Sequence, residues 1–448
     1  MKRQWQMPLY LAASLFAVGS ARAQALTASQ ILQQFNAVVF GNFSSSADVE
    51  GRAVIGGDII GSGSFYLNPG AEAASDFAAL SVYGASNGGG QFNIDNGGGV
   101  AVAGLNNATL SLNGGNSVFV GAGNSGNISV TGGVATVAIA GANSGTVNDN
   151  GGGAVTINGA NSGNGVSVSG GTATIGINGN NSATVTANGG GTVSINGTSG
   201  NINGSGNTNV FLPNSADQTG NINNATVQYG PVSVTPPTNP LPNFGTTLQT
   251  PLTDLSSQLN GQAANSSISS TNGTVTFNAT PNASGQAVFD IPASVLTAGN
   301  TNIVLNGGTA TTIIINVAAS CVGTVCAISV PSSTNFNSLL ANYALDTLWN
   351  FYNATTLTLG GQFIGTVLAP DAAVSNSTTI DGDLIASSFS GSGELHNYAF
   401  GGDLTFGSLS GSAQSVIAEP SSIALLGVGL AGLLVRRRRH PRRATVAL

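Results

Sequence analysis

Between Asn96 and Gly206 the chain repeats itself, and this recurrence limits its fold more than any other feature. Asn96-Gly-Gly-Gly, Asn113-Gly-Gly, Thr131-Gly-Gly, Asn150-Gly-Gly-Gly, Ser169-Gly-Gly and Asn188-Gly-Gly-Gly follow one another at spacings of 17, 18, 19, 19 and 19 residues. Each unit holds two short alternating runs, such as Val155-Thr156-Ile157 and Val166-Ser167-Val168, separated by Asn-Ser-Gly or a similar polar turn. Period-two alternation sends one side of each run inward. The expected inward set is Val100, Val102, Leu110, Leu112, Val118, Val120, Ile128, Val130, Val137, Ile139, Val155, Ile157, Val166, Val168, Ile175, Ile177, Val193 and Ile195. The outward set is small and mostly polar (Ala101, Ser111, Ser129, Ala138, Thr156, Ser167, Gly176, Ser194), with Phe119 the exception. Gly-Gly corners let the backbone take positive φ where it turns. One unit per coil, stacked at ~4.8 Å, makes a β-solenoid whose repeats bury their core only against neighbours. A disordered Gly/Asn/Ser linker is the competing reading, and it leaves the near-constant period of β-branched pairs unexplained.

The flanks read as related coils with interruptions, so the fold class is mainly β, a solenoid with a few short helices. Gly57-Asp58-Ile59, Gly382-Asp383-Leu384 and Gly402-Asp403-Leu404 share one phrase. Three helices are expected: Ala28 to Phe35, a segment opening at Pro251 with Leu252, Leu255 and Leu259, and Ser338 to Tyr352 with Leu339, Tyr343, Leu348 and Phe351. Pro231 to Pro242 reads as an extended connector, and Thr274 to Val317 as a small inserted β subdomain. The expected divisions are 1–23, 24–230, 231–245, 246–332, 333–412 and 413–448. Cys321 and Cys326, separated by four residues, are the only cysteines, and export favours one disulfide over free thiols or a metal site.

Both termini carry addresses. A basic start (Lys2, Arg3), an apolar run from Pro8 to Val18 and Ala21-Arg22-Ala23 form the layout of a signal peptide, cleaved between Ala23 and Gln24. At the other end Glu419-Pro420-Ser421-Ser422 leads into the apolar run Ile423 to Val435, then Arg436, Arg437, Arg438 and Arg439. Those thirteen apolar residues span about 20 Å as a helix, short of the ~30 Å hydrocarbon core, so a transient inner-membrane anchor is expected. Between Gln24 and Ala418 sixteen carboxylates face one permanent cation, Arg52, a formal charge near -15. Phosphate binding needs clustered cations, which excludes nucleic acid as a partner.

The C-terminal residues resemble the PEP-CTERM sorting signal read by exosortases of Gram-negative bacteria, with Ala418 in place of the first proline. That resemblance implies removal of the tail near Glu419 and Pro420, with exosortase and the secretion machinery as partners. It also implies a mature protein on the envelope surface or in the extracellular matrix, in an organism that makes exopolysaccharide. Two further stretches resemble the choice-of-anchor A family of exported proteins. One is Phe35-Asn36-Ala37-Val38-Val39-Phe40-Gly41-Asn42-Phe43 with Asp48-Val49-Glu50-Gly51-Arg52. The other joins Leu348-Trp349-Asn350-Phe351, Gly365-Thr366-Val367-Leu368-Ala369-Pro370 and Gly393-Glu394-Leu395-His396-Asn397-Tyr398. The Gly-rich array departs from that family's shorter middle. The resemblance implies a surface-displayed adhesive domain and supplies no catalytic residues or cofactor.

The chemistry available fits that expectation. From Asn96 to Gly206 the only charged residue is Asp149, too little for general acid/base catalysis, and no Gly-x-Ser-x-Gly motif accompanies Glu394 and His396. Asp48, Glu50 and Arg52 alternate and read as an ion pair restraining the first coil, with a ligand or metal contact as the competing reading. Asp381 and Asp383 share a face by the same period, a weak Ca²⁺ candidate lacking the Gly-Gly-x-Gly-x-Asp repeat. Binding without ionisable groups remains open to exopolysaccharide, a matrix protein or a host-surface ligand, and the alternative classes are ice binding, neutral-glycan binding and a purely structural role.

Overall fold

The computed structural model describes residues 26–70, 72–336 and 342–406. The unit that ends at Asp403 contains all of the coils. They stack into a solenoid of three parallel sheets. The first sheet begins with Gln286–Pro292 and Thr312–Ala318, and passes through Thr347–Asn350 and the leading halves of Thr366–Asn376 and Leu384–Gly391. It then continues without a break into Ala37–Val39, Ala53–Ile55, Leu80–Val82 and Val100–Val102, and on to Ile222–Tyr229. Thus Ala37 pairs on one edge with Leu384 and on the other with Ala53. The C-terminal coils form one half of the stack, the N-terminal coils the other, and the two meet in its interior.

Within the array the alternation acts as expected. Val118 pairs with Val137, Val155 with Ile175, and Ile175 with Val193, each one coil apart. All eighteen expected inward residues are buried. Each buried Val or Ile contributes ~1.5–3 kcal/mol. Glycine corners at Gly114, Gly115, Gly132 and Gly133 take positive φ, and a Cβ on Gly133 would lie 2.7 Å from the carbonyl oxygen of Gly114 one coil below.

Four expectations are corrected. The polar turn between the two runs is a short second sheet, in which Leu105–Asn106, Gly123–Asn124 and Ala142–Asn143 pair in parallel. Thr274 to Val317 is not a separate insertion, since Ile314 pairs with Leu348 in the same stack. The third helix is cut short: Asn342 and Tyr343 are helical, a 3₁₀ turn at Ala344–Asp346 follows and Thr347–Asn350 is a strand, with residues 337–341 outside the described set. That strand is buried on both sides, which erases the period-two signal. Finally, the shared Gly-Asp-apolar phrase marks no common position: Ile59 opens a strand of the second sheet, Leu384 one of the first, and Leu404 lies in no strand. The other two helices form as expected. Thr27 caps α1 (Ala28–Gln34) in a capping box with Gln30, and α2 (Thr250–Asn260) buries Leu252, Leu255 and Leu259.

Candidate functional site

The solenoid has three outer walls, and the chain treats them differently. On the first sheet the outward column of the C-terminal half is sealed by α2. Ser256 Oγ donates to Asn350 Oδ1 (2.6 Å), and Asn316 Nδ2 donates to the carbonyl of Leu259 (2.9 Å). The connector after Ile222–Tyr229 descends along the same wall over the array. Val234 lies against Gly176, where a Cβ would come 2.9 Å from its Cγ1. Further down, the Phe244 ring meets Tyr83 at 5.0 Å and Phe40 at 6.0 Å. This explains why Ala101, Phe119 and Gly176, placed on the outward face as expected, are nonetheless buried. Between connector and wall a groove of about 860 Å³ remains, lined by Tyr66, Phe77, Asn96, Phe119, Pro240 and Leu241 among others.

The third sheet has no such cover in its array portion. Its outward column runs Asn93, Ser111, Ser129, Asn148, Ser167, Thr186, Asn203 and Asn223, each in register with the next. All eight are half-buried or exposed. A parallel column holds Gln91, Thr109, Asn127 and Thr146. The result is a flat, uncharged wall of hydroxyl and amide groups repeating at ~4.8 Å.

Beneath the second sheet lies an arrangement that the sequence reading assigned to turns. Asn106, Asn124, Asn143, Asn161 and Asn181 point inward and are at most 2% exposed. Their amides bond head to tail: Asn106 Nδ2 donates to Asn124 Oδ1 (2.6 Å), Asn124 to Asn143 (2.7 Å), Asn143 to Asn161 (2.7 Å) and Asn161 to Asn181 (2.6 Å). Ser86 Oγ starts the ladder by donating to Asn106 Oδ1, and Asn181 ends it by donating to the Ala183 carbonyl. Recurrence of Asn at intervals of 18, 19, 18 and 20 residues was the available signal. Buried amides must be paired, and here the neighbouring coil supplies the partner.

Where the two halves meet, ionisable groups concentrate. Arg52 does not pair with Asp48 or Glu50; its partner is Glu72, with Nη1 donating to Oε2 at 3.0 Å. The same guanidinium donates to the Gln34 carbonyl and to the Tyr66 hydroxyl. Asp48 instead accepts from the Ser64 N–H (2.7 Å), and Glu50 from the Asn397 N–H (2.9 Å). Burial pushes the Glu72 carboxyl up to about 7, a rise moderated by hydrogen bonding and charge from Arg52. Asp383 is also raised, chiefly by burial, although the Phe400 N–H and Thr366 Oγ1 bond to it. Asp381 takes different partners, Gln362 Nε2 and His396 Nδ1, both at 2.6 Å. Burial alone would lower His396, but its bonds to Glu394 and Asp381 outweigh that and raise it. Asp381 and Asp383 therefore do not converge, and among the described residues no group of three or more His, Cys, Asp or Glu side chains is arranged to hold a metal ion. Cys321 and Cys326 are joined by a disulfide. Ala23, Gln24, Glu419, Pro420, Ser421 and Arg436 to Arg439 lie outside the described residues.

A family model described as "Putative Ice-binding-like adhesive domain" matches residues 28–118 and 166–397, more than half of the chain. The interval it passes over, 119–165, lies inside the repeat array. A second model, the PEP-CTERM protein-sorting motif, matches residues 419–439. No curated protein matches the chain. Among solved structures, an ice binding protein from an Antarctic bacterium, Flavobacteriaceae, aligns at 14% identity over 86% of this chain and 100% of that one, with a TM-score of 0.21. That score is too low to carry an argument.

Proposed function

The chain belongs to the ice-binding-like adhesive domain family, and from that premise we propose that it attaches its cell to a neutral matrix through the uncovered array wall of the third sheet. It is an exported cell-surface protein, and its sorting motif implies processing by exosortase. One observation carries the adhesive reading: the chain lays α2 and the connector over part of the first wall and leaves the polar wall of Ser111, Ser129, Asn148, Ser167 and Thr186 without such a cover. A flat array of uncharged donors and acceptors suits a hydroxyl-rich polymer such as exopolysaccharide, whose weak single contacts add when many engage together. The choice-of-anchor A resemblance supports the same surface role. Acid/base catalysis is no part of this reading, because the wall carries no ionisable group.

Replacing Ser129 and Ser167 together with Asp tests it. Both side chains face outward, so stability should stay within about 0.5 kcal/mol, while retention of the protein on isolated matrix should fall. Unchanged retention would sink the assignment to this wall. Thermal hysteresis, measured on the same variants, separates the ice reading: hysteresis that the double variant abolishes would make ice the ligand.

A further inference from the structure

We propose that two copies of this protein join end to end, pairing the Ile222–Tyr229 strand of one with that of the other. The two ends of the stack are finished differently. At the C-terminal half's end the chain folds back on itself. Ser267–Thr271 lies antiparallel on Thr274–Asn278 as an exposed outer strand, and Asn265 and Ser266 donate to the Val288 carbonyl, covering the edge of Gln286–Pro292. At the other end Ile222–Tyr229 pairs only with the strand below it. Gly230 N–H donates down to Leu212, so by alternation the N–H groups of Val227 and Tyr229 face away from the stack. The core is open there too. Ile202, Val210 and Leu212 are fully buried, whereas directly above them Ile222 and Val227 are only partly so and Tyr229 is exposed. Solenoid ends of this kind need a cap.

No segment of the processed chain can supply it. Near its described end the chain lies at the C-terminal half of the stack, where the Asp403 N–H donates to Thr312 Oγ1. From the strand holding Thr312, fourteen successive strand pairings lead to Ile222–Tyr229. At ~4.8 Å each they span about 67 Å. The sixteen residues from Asp403 to Glu419 reach at most about 56 Å when fully extended. The connector turns down the side wall at once, since Val234 is already beside Gly176.

Charge selects a second copy as the occupant. The chain is strongly acidic, but from Asn150 to Gly230 its only charged residue is Asp217. Two copies joined here keep their acidic halves far apart, whereas any pairing through the charged middle sets carboxylates against each other. The chain turns a corner at Asn224 (φ 53), and the straight edge beyond it, Ala-Thr-Val-Gln-Tyr, has none of the lysines or prolines that blunt an exposed edge. An antiparallel meeting of identical edges is self-complementary by symmetry, and each copy offers one such edge, so assembly through it stops at two.

Sedimentation of the processed protein across a concentration series tests this. A monomer–dimer equilibrium is expected. Val227→Lys and Thr226→Lys should each weaken it by about tenfold or more, because two ammonium groups then meet across the pairing. Leu105→Lys, on an exposed side position of the second sheet, should leave it unchanged. Thr226→Lys keeps the test decisive if Val227→Lys unfolds, since Thr226 is exposed and outside the core. A protein that stays monomeric throughout overturns the proposal. So does a dimer indifferent to Thr226→Lys, or one that Leu105→Lys weakens equally.

Discussion

The array and the junction of the two halves are built from the same coil, yet they hold together by different means. In the array's buried columns residues mostly meet their own kind one coil away, Val on Val and Asn on Asn, at separations of 18 to 20 residues, with Asp149 between Val130 and Val168 an exception. At the junction partners are unlike and distant. Asn36 Nδ2 donates to the carbonyls of Gly382 and His396, 346 and 360 residues along the chain. The core changes character as well, from aliphatic columns to stacked rings, with Phe43 4.9 Å from Phe389 and 6.2 Å from Phe65. Repetition lets one solution serve every coil and needs no charge. A seam between remote segments has no such template, so its register rests on groups that fit one partner only, such as Asn36 and the Arg52–Glu72 pair.

That contrast can be broken experimentally. The largest effect should come from Ile157→Asp. It places a carboxylate in the aliphatic column between Ile139 and Ile177, with Arg52, the only arginine or lysine among the described residues, committed to the junction. A cost of about 3–5 kcal/mol is expected, with proteolysis opening the array first. If the cuts appear first at the junction, the array is not the independent element described above.

Next is pH. Glu72 has its carboxyl raised by burial from 4.5 to about 7. A raised carboxyl contributes stability below its unfolded value and loses it as pH rises through the folded one, here between about 4.5 and 7. The contribution is about 3 kcal/mol. Urea unfolding should therefore weaken across that window, with Asp383 and His396 adding in the same direction. Glu72→Gln should reduce the slope. A slope that survives intact would mean that Glu72 does not carry it, leaving Asp383 or the buried Asp149 of the array.

The smallest effect is expected from the most drastic edit. Phe119 pairs with Ala138 and Ala138 with Thr156, so excising residues 119–155 joins Val118 to Thr156 and removes two whole coils in register. The shortened protein should fold cooperatively and unfold within a few degrees of the original. Removing one residue more should abolish folding, since a shift of one sends every later side chain to the wrong face. Equal outcomes for the two excisions would mean that register is not what the array depends on.

How far the sequence could be read follows from the same contrast. The inward valines and isoleucines were legible because two periods, the alternation and the coil, agree on them. The asparagine ladder repeats just as regularly, but a buried Asn and a turn Asn look alike until the neighbouring coil is known to bond to it. Leu348, Trp349 and Phe351 read as helix because both faces of their strand are covered, one by the core and one by α2. The connector's cover over Gly176 was invisible, since a contact between residues 58 apart leaves no local pattern. Arg52 was expected to find an acid, and its actual partner lies twenty residues on, in a segment with no motif.

The place where the chain ends of the solenoid meet also sets how the molecule bears load. A solenoid pulled from a terminal coil unzips, one hydrogen bond at a time. Here a pull on the C-terminal tail first strips the segment up to Asp403, and then reaches Leu384–Gly391, a strand bonded along both edges: to Thr366–Asn376 on one side, to Ala37–Val39 and Phe43–Ser45 on the other. Tension along that strand strains many bonds at once, in shear. A load applied through the C-terminal end would thus enter the middle of the stack, and the array beyond it would hang free of the force.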